Sequence, residues 1–311
     1  MNKFFKAIVF LVALVVLIPL AIVFLRPSDI ISKEDAKKEL SSPFSHFLKW
    51  RNAEIHYTDE GSGFPVLMIH GFGGSYTNFN DLTKLMKNKY RVVRIDLPGF
   101  GLSDFPQVKA KEDYITDYRN YLTFILDTLH LDSVYVIGNS MGGGVAWMMA
   151  ADHPDKVRKL VLLDAAGYDT KNVAGKLLMF RFKSVRSIFD KGMPLFMSRS
   201  GMEHGYADDS KIDPAVVALN NKFTNREGNI QHMLKLALSA EFPDSSMITK
   251  VECPTLIIWG KEDKIIPLAH AEKFHRDIKN SRVIIYSPCG HMHMMELPER
   301  TATDVEKFFE E

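Results

Sequence analysis

The stretch Gly138-Asn139-Ser140-Met141-Gly142-Gly143 decides the fold. It follows a short apolar run and opens a helical pattern that begins with three glycines. A serine at a tight strand-to-helix turn has its hydroxyl presented above the sheet, and the flanking glycines are needed because a Cβ would collide with nearby backbone. The N-terminus of the following helix favours developing negative charge. The pattern predicts that Ser140 is a nucleophile; the alternative is a glycine-rich turn with an incidental serine.

Short runs rich in Val, Ile and Leu alternate with longer helical patterns on both sides of this turn. The apolar runs are 66–70, 91–97, 133–138, 159–164, 255–260 and 282–287, and the helical patterns are 113–129, 141–152, 268–278 and 298–310. This alternation is typical of a parallel sheet covered by helices on both faces. Before the first run, the alternating residues 53–58 predict an antiparallel edge hairpin with the residues around Trp50.

One interval breaks the alternation, because residues 167–251 contain no convincing strand pattern. We interpret it as a helical insertion that forms a cap or lid. The predicted organisation is then a membrane anchor at 1–26, a linker at 27–45, a core in two parts at 46–166 and 251–311, and a helical cap at 167–250.

The N-terminal segment predicts a membrane-spanning helix. Residues 7–25 read AIVFLVALVVLIPLAIVFL and carry no charge, which is long enough as a helix to cross about 30 Å of hydrocarbon. A cleaved signal peptide is the alternative, but its apolar region is usually shorter and no small-x-small cleavage site precedes Arg26. We expect a single-pass anchor with the catalytic part on the extracytoplasmic side, although basic residues on both flanks leave the side undecided by charge.

The charge balance and the cysteines exclude several classes of protein. The chain has 39 Lys+Arg and 38 Asp+Glu among 311 residues, and nothing in this balance suggests a nucleic-acid partner. Cys253 and Cys289 flank two predicted strands that would hold them roughly 20 Å apart, so we expect no disulfide between them. No carboxylate pair or Cys/His cluster has the spacing of a glycosidase or metal site, so neither a metal nor a cofactor is expected.

A serine hydroxyl is a weak nucleophile and needs a base that is held by an acid. Asp263, in GKEDKIIP, follows one late strand, and His291, in CGHMHMM, follows the next. Both loops leave the carboxyl ends of their strands, at the edge of the sheet where Ser140 also lies. Asp164 ends another strand and is the alternative acid.

The other histidines are weaker candidates for the base. His293 is two residues beyond His291 and is expected to point elsewhere. His270 and His275 fall on a predicted surface helix, where a solvated imidazole is the default.

Hydrolysis of an acyl group also needs donors for the oxyanion of the tetrahedral intermediate. The N–H of Met141, directly after the serine, is one, and the N–H of Phe72 in the loop His70-Gly71-Phe72-Gly73-Gly74 is the other. A plain turn is the alternative for that loop. The later loop at 96–103, DLPGFGLS, is interpreted as structural.

Taken together, HGFGG, DLPGFGLSD, GNSMGG, GKEDKIIP and CGHMHMMELPE resemble the α/β-hydrolase family in order and spacing over about residues 50–310. The resemblance implies a mostly parallel eight-stranded sheet and is strongest to the lipase and esterase branch, including membrane-anchored monoacylglycerol lipases. It implies Ser140 as nucleophile, His291 as base and acid, Asp263 as the orienting acid, and Phe72 and Met141 as the oxyanion hole.

The family resemblance leaves two other functions open. Carbon–carbon bond hydrolases of the meta-cleavage-product type also show GNSMGG, but they usually have Trp after the catalytic histidine, where this chain has Met292. A non-catalytic receptor on the same fold is the second alternative. The serine at position 140 argues against dehalogenases and epoxide hydrolases, which carry Asp there.

The cap gives a separate indication of the substrate. Its residues 171–199 include seven Lys or Arg and one acid, interleaved with many apolar residues. Such a stretch either lies on an anionic membrane surface or packs over the site, and both predict an apolar wall. We therefore predict a membrane-tethered serine hydrolase that cleaves glycerides or medium-chain esters through an acyl-enzyme intermediate.

Overall fold

The structure is a computed structural model that describes residues 26–106, 114–169, 186–239 and 244–311. The predicted anchor at 7–25 and most of the basic part of the cap lie outside these residues. Across the four described ranges, no helix combines the length and the apolar character needed to span a bilayer.

Eight strands form one sheet. They are β1 (Ser45–Trp50), β2 (Ala53–Glu60), β3 (Phe64–Ile69), β4 (Tyr90–Ile95), β5 (Val134–Asn139), β6 (Val157–Leu163), β7 (Thr255–Gly260) and β8 (Ser281–Tyr286). Their spatial order is β1-β2-β4-β3-β5-β6-β7-β8. The β1–β2 and β2–β4 pairs are antiparallel and the other pairs are parallel. The predicted mostly parallel sheet of eight strands, with an antiparallel hairpin at its edge, is confirmed.

The strand register brings several loops to one edge of the sheet. Ile69 of β3 is paired with Gly138 of β5, and Leu163 of β6 is paired with Ile258 of β7. These residues lie at or near the carboxyl ends of their strands, so the loops that follow them emerge side by side. This edge is where ligands bind in open parallel sheets.

Helices cover both faces of the sheet. In chain order the helices of the core are α1 (Lys33–Leu40), α2 (Asn80–Met86), α3 (Tyr114–Thr128), α4 (Met141–Asp152), α8 (Ala269–Asp277), α9 (His293–Glu296) and α10 (Pro298–Glu310), and those of the cap are α5 (Leu195–Gly205), α6 (Pro214–Thr224) and α7 (Asn229–Ser239). One apolar cluster joins the sheet to α3, α4 and α8, for example through Trp147 and Phe274. A second cluster joins the opposite face to α2 and α10, for example through Met86 and Phe308. Because both faces are covered, central parallel strands such as β3 and β7 are almost entirely apolar.

The described parts of the predicted cap are residues 167–169, 186–239 and 244–250. Their regular structure is helical, and they contain no strand of the sheet. Met202 of α5 packs with Val217 of α6 in a small apolar cluster. Phe223 of α6 packs with Leu40 of α1, so the segment predicted as a linker contains a helix that contacts the cap. The N-terminus of α1 is capped by Ser32, whose hydroxyl accepts a hydrogen bond from the N–H of Asp35.

Both cysteine thiols are free and buried. The prediction that Cys253 and Cys289 stay unpaired is therefore confirmed.

Candidate active site

Ser140 lies at the bend between β5 and α4. Its φ is 55° and its ψ is −122°, a conformation that few residues other than glycine adopt. A Cβ on Gly138 would lie 2.4 Å from the Gly142 carbonyl oxygen, and a Cβ on Gly142 would lie 2.2 Å from the Ile69 carbonyl oxygen. The bend can pack this closely against β3 only because both positions are glycine.

Three backbone hydrogen bonds hold Ser140 in this conformation. Its N–H donates to the Leu163 carbonyl at 3.0 Å, and its own carbonyl accepts from the N–H groups of Gly144 at 3.0 Å and Ala166 at 2.9 Å. The hydroxyl makes no hydrogen bond within the described part of the chain, and Ser140 borders the same cavity as His291. The bend therefore presents the hydroxyl to the cavity rather than to a local partner.

His291 and Asp263 lie on the loops after β8 and β7 and form a hydrogen-bonded pair. The imidazole Nδ1 is 2.7 Å from Asp263 Oδ2, and Asp263 Oδ1 accepts from the N–H groups of Ile265 at 2.7 Å and Ile266 at 3.1 Å. The Asp263 side chain is completely buried. Because Nδ1–H donates a hydrogen bond to the carboxylate, the neutral ring has its lone pair on Nε2, where a general base needs it.

The backbone of His291 is held from two sides. Its N–H donates to the carbonyl of Gly205 at the end of α5, at 2.7 Å. Its carbonyl accepts from the Asn139 side-chain amide at 3.0 Å, and that amide also donates to the Leu163 carbonyl at 3.1 Å. The residue before the serine and the cap therefore both fix the position of the histidine loop.

His70 orients the loop that carries Phe72. His70 Nε2 accepts from the Leu97 N–H at 3.0 Å, so Nδ1 carries the proton and donates to the Gly71 carbonyl at 2.7 Å. Burial lowers the pKa of His70, in agreement with the neutral ring that these bonds require. In a trans peptide the carbonyl and the following N–H point in opposite directions. Fixing the Gly71 carbonyl therefore aims the Phe72 N–H away from His70.

The two predicted oxyanion donors have no competing acceptor. In the described ranges neither the Phe72 N–H nor the Met141 N–H donates to another group. Met141 is the first residue of α4, where helical N–H groups lack partners within the helix. One free N–H directly follows Ser140, and the other belongs to the loop whose Gly71 packs against Ser140. Two such donors can stabilise an oxyanion.

Ser140, His291 and the Phe72 loop border a cavity of about 310 Å³. Its wall is rich in flexible, apolar side chains, with the methionines Met193, Met197, Met202, Met233 and Met292. The described residues that line it include no Lys, Arg, Asp or Glu. Phe72, Met193 and Met233 also line a neighbouring cavity of about 130 Å³, where every lining residue is apolar. The arrangement therefore suits an apolar ligand that reaches a nucleophilic serine.

The sequence matches the family model for the alpha/beta hydrolase fold over residues 65–298. The chain belongs to the α/β-hydrolase family.

Two curated hydrolases and one solved structure illustrate what this family member is similar to. It is 29% identical over 284 residues to 2-hydroxy-6-oxo-6-(2'-aminophenyl)hexa-2,4-dienoic acid hydrolase of Metapseudomonas resinovorans, covering 86% of this chain and 91% of the relative. It is 30% identical over 250 residues to 2-hydroxy-6-oxononadienedioate/2-hydroxy-6-oxononatrienedioate hydrolase of Cupriavidus pinatubonensis, covering 78% and 86%. The crystal structure of a membrane phospholipase A, a bacterial virulence factor, superposes with a TM-score of 0.73 at 25% identity and covers 100% of this chain and 98% of that chain.

The hydrolase has two carboxyl groups near His291, and only one of them contacts it. Asp263 accepts from Nδ1, whereas Asp164 Oδ1 accepts from the Gly260 N–H at 3.0 Å. Asp164 nevertheless belongs to the same cluster, since one oxygen of each acid and one ring nitrogen of His291 all lie within 4.8 Å of one another. Such a cluster resembles a metal site, but the oxygens of Asp263 already accept from three N–H groups. The geometry thus favours Asp263 over Asp164 as the partner of His291.

The three other candidate histidines are not among the described residues that line the cavity of Ser140. His293 is buried, with Nε2 2.9 Å from Asp164 Oδ2. His270 is also buried and packs edge-on against Tyr168, so the expectation of a solvated imidazole was wrong there. His275 is exposed and pairs with the Ser281 hydroxyl. The segment after β6 covers the His270 face of α8, which the sequence pattern of α8 alone does not reveal.

Glu296 is a site residue that the sequence analysis missed. Its buried carboxylate accepts from the N–H of Gly290 at 2.8 Å, next to His291. It also accepts from the N–H groups of Ala207 and Asp208 in the cap, at 3.2 Å. A buried acid in an otherwise apolar stretch, MHMMELP, is the signal that could have identified it.

Asp96 supports the loops beneath the oxyanion donors, as expected of a structural loop. It accepts from the N–H groups of Tyr76 at 2.6 Å and Leu102 at 2.8 Å, and it pairs with His56 Nδ1 at 2.7 Å. Although burial opposes ionisation, the charge and the hydrogen bond of His56 hold the pKa of Asp96 below its ordinary value. The carboxylate is therefore ionised, and it holds together the loops that begin at Tyr76 and at Asp96.

Proposed function

We propose that this hydrolase cleaves uncharged carboxylic esters with an apolar acyl chain. Ser140 Oγ attacks the ester carbonyl carbon while His291 Nε2 accepts the hydroxyl proton, and Asp263 holds the imidazole through Nδ1. The carbonyl electron pair moves to the oxygen, where the Phe72 and Met141 N–H groups stabilise the negative charge. Collapse expels the alcohol with the proton from His291 and leaves an acyl-enzyme, which water hydrolyses by the same steps.

The residues that line the cavity are the main support for an ester substrate. An acyl chain is uncharged and flexible, and the methionine wall offers apolar contacts that adapt to its shape. A dienoate substrate carries a carboxylate, which needs a cation or several donors when it is buried. The described lining residues include no Lys or Arg to balance a carboxylate charge. The neutral donors of the wall, Ser198, Asn220 and Thr224, suit the alcohol part of an ester as well as an acid, so the absence of a cation is what favours the neutral substrate.

Hydrolysis of a carbon–carbon bond is the second candidate, and the sequence comparisons favour it over ester hydrolysis. Both curated relatives described above are named as hydrolases of such dienoic acids. Ser140, His291 and the two N–H donors serve either reaction, because each reaction includes attack on a carbonyl carbon. The two candidates therefore differ in what the cavity binds rather than in the serine chemistry.

We further propose that the hydrolase acts at a membrane surface, held by residues 7–25, with the catalytic part on the extracytoplasmic side. The apolar, uncharged sequence of that segment supports the anchor. Leu195 and Phe196, at the start of α5, are 52% and 65% exposed and adjoin Met197 of the cavity wall. Exposed apolar side chains beside a cavity entrance suit contact with lipid.

The test offers a medium-chain monoacylglycerol and 2-hydroxy-6-oxo-6-phenylhexa-2,4-dienoate to the same full-length preparation. We expect kcat/KM for the glyceride to exceed that for the dienoate by at least about 100-fold, and Ser140→Ala to lose at least about 10⁴-fold in kcat. Ser246→Ala, which removes an exposed hydroxyl outside the lining of the cavity, is the matched control and keeps its activity. A preference for the dienoate contradicts the ester proposal, and an unchanged Ser140→Ala protein contradicts the serine mechanism. Labelling by a fluorophosphonate separates both enzymes from a non-catalytic receptor, which does not react.

A further inference from the structure

Asp164 is a completely buried acid at the carboxyl end of β6 that the reaction described above does not use. Its Oδ1 accepts from the Gly260 N–H at 3.0 Å. Its Oδ2 accepts no hydrogen bond from any described residue. His293 Nε2 is 2.9 Å from Oδ2, but the two atoms are not aligned for a hydrogen bond. An ionised carboxylate oxygen that is buried without a donor destabilises the fold. The question is therefore whether Asp164 is ionised or protonated.

The second acid of the cluster is built to carry the negative charge. Asp263 accepts from three N–H groups, those of Ile265, Ile266 and the His291 ring. Asp164 has only the Gly260 N–H. Two buried carboxylates with oxygens within 4.8 Å of each other repel when both are ionised, which favours a proton on one of them. The charge therefore belongs to Asp263, and the proton to Asp164.

Apart from the His291 ring, whose charge lowers the pKa of Asp164 less than burial and Asp263 raise it, the titratable groups around Asp164 do not supply a positive charge. His293 is fully buried with no hydrogen bond to Nδ1 in the described part of the chain, and burial lowers its pKa to about 4. The Glu296 carboxylate is directed to the N–H groups of the cap and of Gly290. Burial raises the pKa of the Cys289 thiol. Burial, and then the charge of Asp263, raise the pKa of Asp164 well above its ordinary range, which agrees with the hydrogen-bond count.

We propose that Asp164 is a positioning residue that keeps its proton and donates it in a hydrogen bond to the Asp263 carboxylate, so that Asp263 holds the His291 ring in one orientation. A proton on Oδ2 turns the unpartnered acceptor into a donor, and the Asp263 carboxylate of the same cluster is within reach as its acceptor. The inference rests on the proposed roles of Asp263 and His291. It is independent of the choice between ester and dienoate, so it is tested on whichever substrate the wild-type protein turns over.

Two substitutions separate a neutral Asp164 from an ionised one. In Asp164→Asn the amide oxygen accepts from Gly260 and the amide N–H donates to Asp263, as the neutral acid does. We expect kcat within about threefold of wild type and an unmoved acid limb in the pH profile of kcat/KM. Asp164→Ala removes the donor and leaves Asp263 a stronger acceptor. For this variant we expect kcat to fall about tenfold at similar KM, with the acid limb moved to higher pH.

The opposite results overturn the proposal. If Asp164 is ionised in the wild type, Asp164→Asn removes a negative charge near His291 and moves the acid limb to lower pH. If Asp164→Ala keeps the wild-type kcat and pH profile, Asp164 does not position Asp263 or the His291 ring. Asp304→Asn, which changes an acid that accepts from the Tyr286 hydroxyl away from the cavity, is the matched control and leaves both quantities unchanged.

A direct measurement covers the case in which Asp164→Ala does not fold. The infrared difference spectrum of wild type against Asp164→Asn at pH 7 contains the C=O stretch of one protonated carboxylic acid if the proposal holds. Only carboxylate bands in that difference overturn it. An inactive wild-type protein contradicts the proposed function but leaves this spectrum readable, so the two failures are distinguishable.

Discussion

His70 has two hydrogen bonds with different consequences, and substitution can remove them one at a time. Its Nδ1 proton goes to the Gly71 carbonyl, which orients the Phe72 N–H, and its Nε2 accepts from the Leu97 N–H. Asparagine places its amide near the position of Nδ1, and glutamine places its amide near the position of Nε2. His70→Asn therefore keeps the bond to the oxyanion loop, whereas His70→Gln keeps the bond to Leu97.

The two variants should differ in activity and not in stability alone. In His70→Gln the Gly71 carbonyl keeps only the Gly74 N–H, at 3.1 Å, so the Phe72 donor is held less firmly. Complete loss of one oxyanion donor costs about 3 kcal/mol, or about 100-fold in kcat. A loosened donor should cost part of that, so we expect kcat to fall about 10- to 50-fold with KM nearly unchanged.

His70→Asn should show the reverse effect. It leaves the buried Leu97 N–H without an acceptor, which costs about 1–3 kcal/mol in the free energy of unfolding. Its kcat should stay within about threefold of wild type. Steady-state kinetics and urea unfolding of both variants provide the comparison. An equal loss of kcat in the two variants, or a fully active His70→Gln, refutes the argument that the Gly71 carbonyl positions the donor.

Three further predictions concern the acid, the cavity and pH. Asp263→Asn should lower kcat by about 10³- to 10⁴-fold, since the imidazole loses its orienting acceptor; a loss below tenfold in steady-state kinetics would assign the acid role elsewhere. Met233→Trp should fill the small cavity and exclude about three methylenes of a long acyl chain, with a loss of about fourfold in kcat/KM for each methylene. Met233→Leu should keep the chain-length profile, and parallel profiles for the two variants would contradict this use of the cavity. The folded chain keeps His293 neutral down to about pH 4, while the unfolded chain binds that proton below about pH 6.5, so stability should fall by up to about 3 kcal/mol between those values. His293→Gln should flatten this loss in urea unfolding at pH 7 and pH 4.5, and an equally steep loss would show that other groups cause it.

The order of the elements made much of this site predictable from the sequence. Ser140, Asp263 and His291 each follow a short apolar run, and parallel strands carry the residues after them to the same edge of the sheet. The glycines around Ser140 indicate a bend in which side chains have no room. These patterns lie within single segments of sequence, so they can be recognised without knowing how the segments pack.

What escaped prediction depends on contacts between distant segments. The burial of His270 arises because Tyr168 covers that face of α8, and no pattern within α8 records it. The link from Glu296 to the cap joins residues 88 and 89 positions apart. The helix within the predicted linker packs on the cap through Leu40. Each of these contacts joins two distant segments, whereas sequence periodicity describes only one segment at a time.

The cap, rather than the serine machinery, must decide which substrate this hydrolase accepts. Ser140, Asp263 and the loop of Phe72 come from the core, and they are equally suited to an ester and to a vinylogous ketone. Four of the five methionines in the cavity wall come from the cap, and Glu296 ties the same cap to the loop of His291. A change in the cap can therefore alter both what is bound and how the base is held. For that reason, similarity to relatives of known activity is a weaker guide to the substrate here than a direct comparison of substrates on the intact protein.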